Sequence, residues 1–339
     1  MIVENETILE INNIKKHFPI SKKGLFSKPT DYVKAVDGIN LSIKKGETFG
    51  LVGESGCGKS TLSRLITRLI EPDEGEVIFD GQDFLKLKGK ALRKERQKIQ
   101  MVFQNPFESL NPRMKIEDII GASFDIHRME KGEERRKKVE TLIEKVGLDS
   151  KFLSRYPHEL SGGQRQRIGI ARAIALNPKF IICDESVSAL DVSVQSQILN
   201  LLNDIQEEFN LTYLFISHDL SVIKNVSHRI AVMYLGKIVE VAEAEELYKD
   251  PKHPYTQALL SSIPIPEPDT EYEKNPIELK GDIPSPVNPP KGCNLCTRCP
   301  FVMPICHEQE PELDEIEKDH NVACHLYSTN SELKESKVL

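Results

Sequence analysis

At residues 53–61 the chain reads Gly53-Glu54-Ser55-Gly56-Cys57-Gly58-Lys59-Ser60-Thr61. This stretch matches every fixed position of the phosphate-binding pattern G-x-x-x-x-G-K-[ST]. A short apolar run at residues 48–52 precedes it, and apolar residues at helical spacing follow it, so we expect a strand, the loop and a helix in that order. The stretch therefore predicts a site for a nucleoside triphosphate.

The residue types of this phosphate loop fit that chemistry. Its glycines allow backbone N–H groups to turn toward phosphate oxygens, and the helix that follows adds the positive end of its dipole. We expect Lys59 to reach the outer phosphates and the Ser60 hydroxyl to ligate Mg²⁺. A chance glycine-rich turn is the alternative, but it explains neither the nine fitting residues nor their position between a strand and a helix.

The composition is that of a soluble protein. The chain has 339 residues, long enough for two domains, and is 39% hydrophobic and 29% charged. It contains no run of about 18 apolar residues, and its N-terminus lacks the basic and then apolar pattern of a signal peptide. We expect a cytoplasmic chain that meets a membrane only through a partner.

The composition changes near residue 250. Residues 251–339 carry 15 acidic and 8 basic side chains, whereas residues 1–250 carry 37 of each, and no basic excess indicates a nucleic-acid partner. Thirteen of the 20 prolines and five of the seven cysteines also follow residue 250. The sequence thus predicts a nucleotide-binding domain at residues 1–250 and a C-terminal extension at residues 251–339.

The pattern of the first 250 residues predicts an α/β fold. Apolar runs that read as buried strands alternate with helical patterns, which is typical of a parallel sheet. Shorter strands near the N-terminus predict an additional antiparallel subdomain, in which residues 7–17 are expected to form an edge strand. A helical subdomain is expected to be inserted at about residues 105–175. Strands are expected at 48–52, 99–103, 180–183, 211–216 and 230–233, and helices at 165–176 and 193–209.

Two adjacent carboxylates follow one of the buried strands. Asp184 and Glu185 lie far along the chain from Lys59, yet a parallel sheet brings the ends of such strands to one edge. Asp184 is expected to hold Mg²⁺ through water, and Glu185 to orient or deprotonate an attacking water. An acidic pair alone is a common loop start, but together with the phosphate loop it indicates hydrolysis.

A second glycine-rich stretch reads Leu160-Ser161-Gly162-Gly163-Gln164 and precedes a helix. The N-terminus of this helix, capped by a serine, is a second place where backbone N–H groups can face phosphate. One nucleotide does not need two such loops. The stretch resembles the defining LSGGQ motif of the ABC-transporter ATPases. That resemblance implies a head-to-tail dimer with an identical or paralogous ATPase subunit, in which residues 160–164 close on ATP bound by the partner's phosphate loop.

Further positions are similar to motifs of the same family. The resemblance implies that Gln104 touches Mg²⁺ or water and senses the membrane subunit, and that Asp191, in a loop at residues 188–191, crosses the dimer. It also implies that His218 contacts the γ-phosphate. Phe18 fits best as the aromatic residue that stacks on adenine, and Tyr32 competes with it because an insert at residues 19–31 shifts the alignment.

Two stretches resemble one branch of the family, the oligopeptide and dipeptide importers. They are residues 104–114 (QNPFESLNPRM) and residues 253–260 (HPYTQALL), and Arg113 favours the second of the two paired ATPases. The resemblance implies a peripheral ATP-hydrolysing subunit on the cytoplasmic side of the membrane. Two integral membrane permease subunits would be its partners, with an extracellular peptide-binding protein acting indirectly.

Two other functions are open at this point. A soluble ABC ATPase of DNA repair, translation or iron–sulfur assembly should show a second nucleotide domain, a basic patch or a long coiled coil, and the sequence has none of these. Within transport, the same tail would suit an importer of nickel or of oligosaccharides. The motifs favour peptide.

Five cysteines crowd the C-terminal extension: Cys293, Cys296, Cys299, Cys306 and Cys324. In a chain without an export signal such crowding favours a metal site or an iron–sulfur cluster over disulfides. Thiolates bind either a [4Fe–4S] cluster or zinc, and the spacing alone does not decide between them. Cys57 and Cys183, outside this group, are expected to be small core residues.

The tails of peptide-importer ATPases are similar to this one. The resemblance implies a [4Fe–4S] cluster held by Cys293, Cys299, Cys306 and Cys324, with Cys296 as an extra thiol. Zinc is the alternative, and His307, His320 and His325 lie close enough in sequence to complete its ligands. A reduced, metal-free group of cysteines is the third possibility.

Overall fold

The computed structural model describes residues 6–20, 31–105, 109–188, 190–262 and 277–328. Four predicted stretches fall partly outside these residues. The undescribed positions are 106–108 of the loop after Gln104, 189 of the Asp191 loop, 21–30 of the insert at residues 19–31, and 263–276 and 329–339 of the C-terminal extension. None of the described helices is long and apolar enough to cross a membrane.

Two sheets organise the described part of the chain. The smaller has the strand order β2-β1-β4-β5, and the larger has the order β11-β12-β10-β9-β3-β8-β7-β6. The strands are β1 Thr7–Pro19, β2 Tyr32–Lys44, β3 Thr48–Val52, β4 Glu74–Phe79, β5 Gln82–Asp83, β6 Ile99–Val102, β7 Phe180–Asp184, β8 Thr212–Ile216, β9 Arg229–Tyr234, β10 Lys237–Glu243, β11 Asp314–Glu317 and β12 His320–Val322.

Helices cover both faces of the larger sheet and form a separate layer beside it. They are α1 Lys59–Ile66, α2 Gly89–Lys98, α3 Ile116–His127, α4 Gly132–Lys145, α5 Gly162–Ile174, α6 Val192–Phe209, α7 Leu220–Val226, α8 Ala244–Lys249, α9 Pro254–Ser261 and α10 Ile305–Glu308. Short 3-10 turns at Ser150–Ser154 and Pro157–Glu159 connect α4 to α5.

The centre of the larger sheet is parallel, as predicted. β3 pairs in parallel with β8 and β9, and β7 pairs in parallel with β6 and β8. Every residue of β3, β7 and β8 is buried, because α1 and the smaller sheet pack against one face of these strands and further helices pack against the other. The carboxyl ends of β3 and β7 therefore meet at one edge, where the phosphate loop and Asp184 lie.

The smaller sheet is antiparallel, but the prediction that residues 7–17 form an edge strand was wrong. β1 lies inside this sheet, where Leu9 pairs with Ile43 of β2 on one side and with Phe79 of β4 on the other. Alternating apolar residues reveal a buried face, yet they do not reveal how many neighbours a strand has. The second neighbour, β4, comes from beyond the phosphate loop and α1.

The inserted helical layer agrees with the apolar pattern of its sequence. Val139, Leu142 and Ile143 of α4 are buried, and they belong to the same core as Ile116 of α3 and Ile168 of α5. Arg135 of α4 donates two hydrogen bonds to the carboxylate of Asp125 on α3, from Nε at 3.0 Å and from Nη2 at 2.9 Å. The layer thus packs onto α5, the helix that follows the LSGGQ stretch.

The C-terminal extension continues the larger sheet. β12 pairs with β10 through Glu240 and Val322, and β11 pairs with β12. Leu295 and Tyr255 belong to the same hydrophobic core as Val52, which precedes the phosphate loop. The boundary at residue 250 stays a prediction, and the structure joins the two sides of it through hydrogen bonds and a shared core.

Candidate functional site

The phosphate loop connects β3 to α1 and needs glycine at its turn. Gly58 has φ +113°, and a Cβ atom there would lie 2.1 Å from the carbonyl oxygen of Ala35. Gly58 is also the N-cap of α1 and supplies no side-chain acceptor to the first N–H groups of that helix. These N–H groups and the helix dipole form a site for an anion.

Lys59 is buried at the base of the loop. Its Nζ donates to the carbonyl oxygens of Gly53 and Glu54 at 2.7 and 3.0 Å. The whole Lys59 residue is only 4% exposed, so water and salt screen its positive charge little. Lys59 is therefore held within reach of a phosphate that enters the loop.

A hydroxyl and a carboxylate meet where Mg²⁺ is expected. Ser60 Oγ donates to Asp184 Oδ1 and Ser63 Oγ donates to Asp184 Oδ2, each at 3.1 Å. Burial raises the pKa of the Asp184 carboxyl above its ordinary value, the two hydroxyls oppose this, and the Glu185 charge adds to it. Oxygen donors of this kind fit Mg²⁺, and the positive charge of the ion would stabilise the carboxylate.

Glu185 lies beside Asp184 and is contacted by two other candidate residues. Its Oε2 accepts a 2.6 Å hydrogen bond from Gln104 Nε2, and its Oε1 lies 3.5 Å from His218 Nδ1. The Glu185 backbone has φ +45°, and its N–H donates to the carbonyl oxygen of Ile216 at 2.9 Å. Strain of this kind turns the side chain away from the strand direction and toward the loop.

Lys59, Ser60, Gln104 and Glu185 line one cavity of about 390 Å³. Phe18 lines this cavity, whereas Tyr32 is 42% exposed and is not among the lining residues. This placement favours Phe18 as the adenine contact. The lining residues are Phe18, Val33, Lys34, Ala35, Ser55, Gly56, Cys57, Gly58, Lys59, Ser60, Thr61, Gln104, Glu185, Leu235, Gly236 and Pro286.

The LSGGQ stretch forms the expected helix start but lies apart from this cavity. Ser161 caps α5, its Oγ accepting from the Gln164 N–H at 3.3 Å while Gln164 Oε1 accepts from the Ser161 N–H. A Cβ atom on Gly163 would lie 2.5 Å from Val194 Cγ1, so α5 and α6 approach closely there. Within one chain, Ser161, Gly162, Gly163 and Gln164 are not brought to Lys59.

Asp191 is also placed outside the cavity. It is the N-cap of α6, where its Oδ1 accepts from the Val194 N–H at 3.0 Å and from the Ser193 hydroxyl at 2.8 Å. These hydrogen bonds lower the pKa of the Asp191 carboxyl. Its observed role is to begin α6, and its contact with a nucleotide stays a prediction.

Comparison with known proteins identifies the family. The ABC transporter family matches residues 36–188, and the family "Oligopeptide/dipeptide transporter, C-terminal region" matches residues 239–306. The oligopeptide transport ATP-binding protein AppF of Bacillus subtilis (strain 168) is 58% identical over 324 residues, 95% of this chain and 98% of that protein. The chain belongs to the ATP-binding proteins of oligopeptide and dipeptide ABC transporters.

Other members and solved structures agree with this assignment. The oligopeptide transport ATP-binding protein OppF of Salmonella typhimurium (strain LT2) is 48% identical over 96% of this chain and 97% of its own length. A dimeric bacterial ABC transporter cassette matches with a TM-score of 0.62 and 32% identity, covering 70% of this chain and 99% of that structure. The family is thus an ATPase family, and the α/β cassette fold predicted from the sequence is confirmed.

The cysteine-rich part of this ABC ATP-binding protein lies next to the larger sheet. The Cys293 N–H donates to the Cys306 carbonyl oxygen at 2.8 Å, and the Cys296 N–H donates to the Cys293 carbonyl oxygen at 3.0 Å. Burial, with a smaller contribution from neighbouring thiols, raises the pKa of the Cys293 and Cys324 thiols to about 12. All five cysteines carry free thiols.

The histidines named for a zinc site are mostly engaged elsewhere. His320 Nε2 lies 2.8 Å from the buried Glu240 Oε1, and His325 Nε2 lies 2.9 Å from the Gln309 carbonyl oxygen. His307 is exposed. Among the described residues no three His, Cys, Asp or Glu side chains are arranged around a position for a single metal ion. Cys57 and Cys183 are buried core residues, as predicted.

Sequence reasoning missed three residues that contact the nucleotide site. Ser63 follows Ser60 by three positions on α1, and that helical spacing could have shown that both hydroxyls face Asp184. Tyr255 and Arg298 come from the C-terminal extension and contact Glu54 of the phosphate loop. No local pattern connects residues about 200 or more positions apart, so only the fold reveals these two contacts.

Proposed function

We propose that this chain is the subunit that hydrolyses ATP to energise peptide uptake through an ABC importer. The observation that carries the proposal is the convergence of Lys59, Gln104 and Glu185 at one cavity, where Ser60 also contacts Asp184. The relatives of the chain are named as oligopeptide and dipeptide transport ATP-binding proteins. The cavity has the residues for phosphoryl transfer, and the C-terminal match points to peptide as the cargo.

The proposed reaction is an in-line attack of water on the γ-phosphate. Ser60 and, through water, Asp184 would hold Mg²⁺, which would supply positive charge to the phosphates when bound. Lys59 stabilises the charge that develops on the outer phosphate, and Glu185 accepts the proton of the attacking water. Gln104 and His218, which both face Glu185, orient its carboxylate and the water.

A second ATPase subunit completes the site in this proposal. Ser161 and Gln164 cap α5, and none of residues 160–164 lines the cavity beside the phosphate loop of the same chain. A partner, identical or paralogous, would place these residues on the ATP held by Lys59. Tighter ATP binding by the closed pair than by the open pair would supply the work of transport.

The same proposal places the chain at the cytoplasmic face of the cell membrane. Two integral permease subunits would bind it there, with the loop after Gln104 as the contact that reports their state to Glu185. A peptide-binding protein outside the cell would act on it only through those permeases. The names of the relatives, which describe transport ATP-binding proteins, support this arrangement.

We propose that the cysteines of the extension bind a [4Fe–4S] cluster. Thiolates are the ligands of such a cluster, and Cys293, Cys299, Cys306 and Cys324 are free thiols in one part of the fold. Burial, with a smaller contribution from neighbouring thiols, raises the pKa values of Cys293, Cys299 and Cys324. Of the three histidines that could have joined the cysteines as zinc ligands, two are hydrogen-bonded to protein groups. Iron would stabilise the thiolates that burial disfavours.

The test of transport uses the assembled complex. The chain should co-purify with its membrane subunits, and ATP hydrolysis by that complex should rise when a peptide-loaded binding protein is added. The same complex with Glu185→Gln is the control and should show no rise. Stimulation by nickel-loaded or oligosaccharide-loaded receptors in place of peptide would contradict the proposed cargo.

The metal is tested separately. Protein purified without oxygen should be brown and contain iron and acid-labile sulfide, and Cys299→Ser should lose both. Cys296→Ser is the matched control and should keep them. One zinc per chain with no iron would contradict the cluster.

A further inference from the structure

We propose that Tyr255 and Arg298 of the C-terminal extension are positioning residues for the phosphate loop, acting on its second residue, Glu54. The inference rests on the nucleotide site proposed above and assigns to the extension a part in ATP binding. Neither residue lines the cavity, so each acts through Glu54 and not on the nucleotide itself.

Tyr255 holds the backbone of the loop. The Glu54 N–H donates to Tyr255 Oη at 2.9 Å, and the Tyr255 side chain is fully buried. Its ring packs against Tyr234 with 4.6 Å between ring centroids. At the start of α9, the Tyr255 N–H donates to His253 Nδ1 at 3.1 Å, so backbone and ring are both fixed. A buried N–H that loses such an acceptor is costly.

Arg298 holds the side chain of the same residue. Its two terminal nitrogens lie 3.2 and 3.5 Å from the two carboxylate oxygens of Glu54. Nη1 also lies 3.4 Å from Tyr234 Oη, and the guanidinium lies 5.9 Å from the centre of the Tyr234 ring. The side chains of Arg298 and Glu54 are 10% and 28% exposed, so water screens this ion pair only in part.

Lys59 and the extension both contact the first residues of the phosphate loop. Lys59 Nζ donates to the carbonyl oxygens of Gly53 and Glu54, while Tyr255 and Arg298 hold Glu54 from the side of the extension. When phosphate draws Lys59 away from those carbonyls, the extension is what keeps the loop in place. A loop that already has its binding conformation loses less conformational entropy when ATP binds.

A second contact brings the extension to the same cavity. The Lys34 N–H donates to the Pro286 carbonyl oxygen at 3.0 Å, and Pro286 itself lines the cavity. Arg298 lies between Cys296 and Cys299, and its own N–H donates to the Leu295 carbonyl oxygen at 2.8 Å. The Arg298 side chain thus connects the cysteine-bearing segment to Glu54 of the phosphate loop.

A purely structural role for Arg298 predicts different results. If the side chain served only to hold the cysteine segment, its loss would lower the melting temperature and the metal content and leave the ATP affinity of the folded fraction unchanged. A positioning role predicts a higher KM for ATP, a smaller change in kcat and little change in melting temperature. The two roles separate when all three are measured on the same preparations.

The experiment uses the full chain in its assembled complex with Arg298→Gln, Arg298→Lys, Tyr255→Phe, Glu54→Gln and the double variant Glu54→Gln/Arg298→Gln. Lys291→Gln removes a charge from an exposed side chain of the same segment and is the matched control. KM and kcat for ATP, equilibrium binding of a fluorescent ATP analogue, melting temperature and metal content are measured for each.

We expect Arg298→Gln to raise KM for ATP about tenfold, because a bidentate, partly buried pair is lost. Arg298→Lys should recover part of this, Tyr255→Phe should act in the same direction, and Lys291→Gln should match wild type. Because Glu54 and Arg298 act as a pair, the double variant should be no worse than Arg298→Gln alone.

Three results would overturn the inference. They are an unchanged KM in both Arg298→Gln and Tyr255→Phe, additive effects in the double variant, or a rise in KM that appears only with an equal loss of folded protein. If Arg298→Gln does not fold, Glu54→Gln and Tyr255→Phe decide the matter alone. Wild-type protein that neither binds nor hydrolyses ATP would instead refute the proposed function.

Discussion

Gln104 Nε2 lies 2.6 Å from Glu185 Oε2, so the loop that leads toward the inserted helical layer directly contacts the carboxylate proposed to activate water. The two residues are 81 positions apart and follow the neighbouring strands β6 and β7. A movement of the loop after Gln104 would therefore shift the carboxylate itself. In the proposed importer, this contact would give the membrane subunits a short physical route to the catalytic carboxylate.

The first prediction concerns Glu185. Glu185→Gln keeps the size of the side chain and its contact with Gln104, but an amide accepts no proton from water. We expect kcat for ATP hydrolysis to fall at least ~100-fold while ATP binding is retained. Glu207→Gln, an exposed position on α6, is the control and should behave as wild type. Hydrolysis by Glu185→Gln at the wild-type rate would show that another group is the base.

The second prediction separates two serines that both contact Asp184. Ser60 lies on the cavity and is proposed to ligate Mg²⁺, whereas Ser63 is fully buried behind it. Ser60→Ala should raise the Mg²⁺ concentration needed for half-maximal hydrolysis about tenfold, and Ser63→Ala should raise it less. A magnesium titration at fixed ATP measures both. Equal shifts in the two variants would argue against direct ligation by Ser60.

The third prediction tests the backbone of the phosphate loop. Gly58→Ala would force a residue with a side chain into φ +113° and place its Cβ 2.1 Å from the Ala35 carbonyl oxygen. We expect loss of ATP binding and a fall of at least about 2 kcal/mol in the free energy of unfolding. Gly81→Ala is the matched control.

Gly81 has φ +76°, but a Cβ atom there would meet nothing within 4 Å. Gly81→Ala should therefore cost about 1 kcal/mol from backbone strain alone and should leave ATP binding intact. Chemical denaturation and binding of a fluorescent ATP analogue report the two effects. Normal ATP binding by Gly58→Ala would contradict the proposed conformation of the loop.

The fourth prediction concerns acid stability. Burial lowers the pKa of His253 from 6.5 to about 4, and the nearby Glu240 carboxylate only partly opposes this. Between pH 6.5 and pH 4 the unfolded chain binds a proton at His253 that the folded chain does not bind. The contribution of neutral His253 to the free energy of unfolding is therefore fully present above pH 6.5. As the pH falls from 6.5 to about 4, this contribution is lost and the free energy of unfolding falls by about 3 kcal/mol.

A single substitution isolates this contribution. His253→Asn keeps a side chain that accepts the Tyr255 N–H at the start of α9, but it has no proton to gain in this range. Urea unfolding measures the free energy of unfolding of both proteins. Any advantage of the wild type at pH 7 should become smaller at pH 4, or the variant should become the more stable protein there. A difference that does not change with pH would refute the shifted pKa.

The sequence predicted those parts of the site that lie within a local pattern. The loop at residues 53–61, the strand before Asp184 and the helix after Ser161 each carry their own periodicity or cap, and the structure has each of them. The alignment of Lys59 with Asp184 also followed from the sequence, because strands of a parallel sheet end at the same edge.

The remaining features depend on contacts between distant segments. β1 gained a second neighbour because β4 returns to it, and the short strands β11 and β12 are too brief to show a period. The approach of Tyr255 and Arg298 to Glu54 has no local signal either. Such contacts are decided by packing of the whole chain, which a reading of neighbouring residues does not capture.

The most direct test of the account is uptake of a labelled peptide into vesicles that contain the assembled importer. Wild-type complex, with a peptide-loaded binding protein outside the membrane and ATP on the side of this subunit, should accumulate peptide above its external concentration, and the Glu185→Gln complex should accumulate none. Equal accumulation by the two complexes, or accumulation without ATP, would contradict the claim that hydrolysis at this site drives peptide uptake.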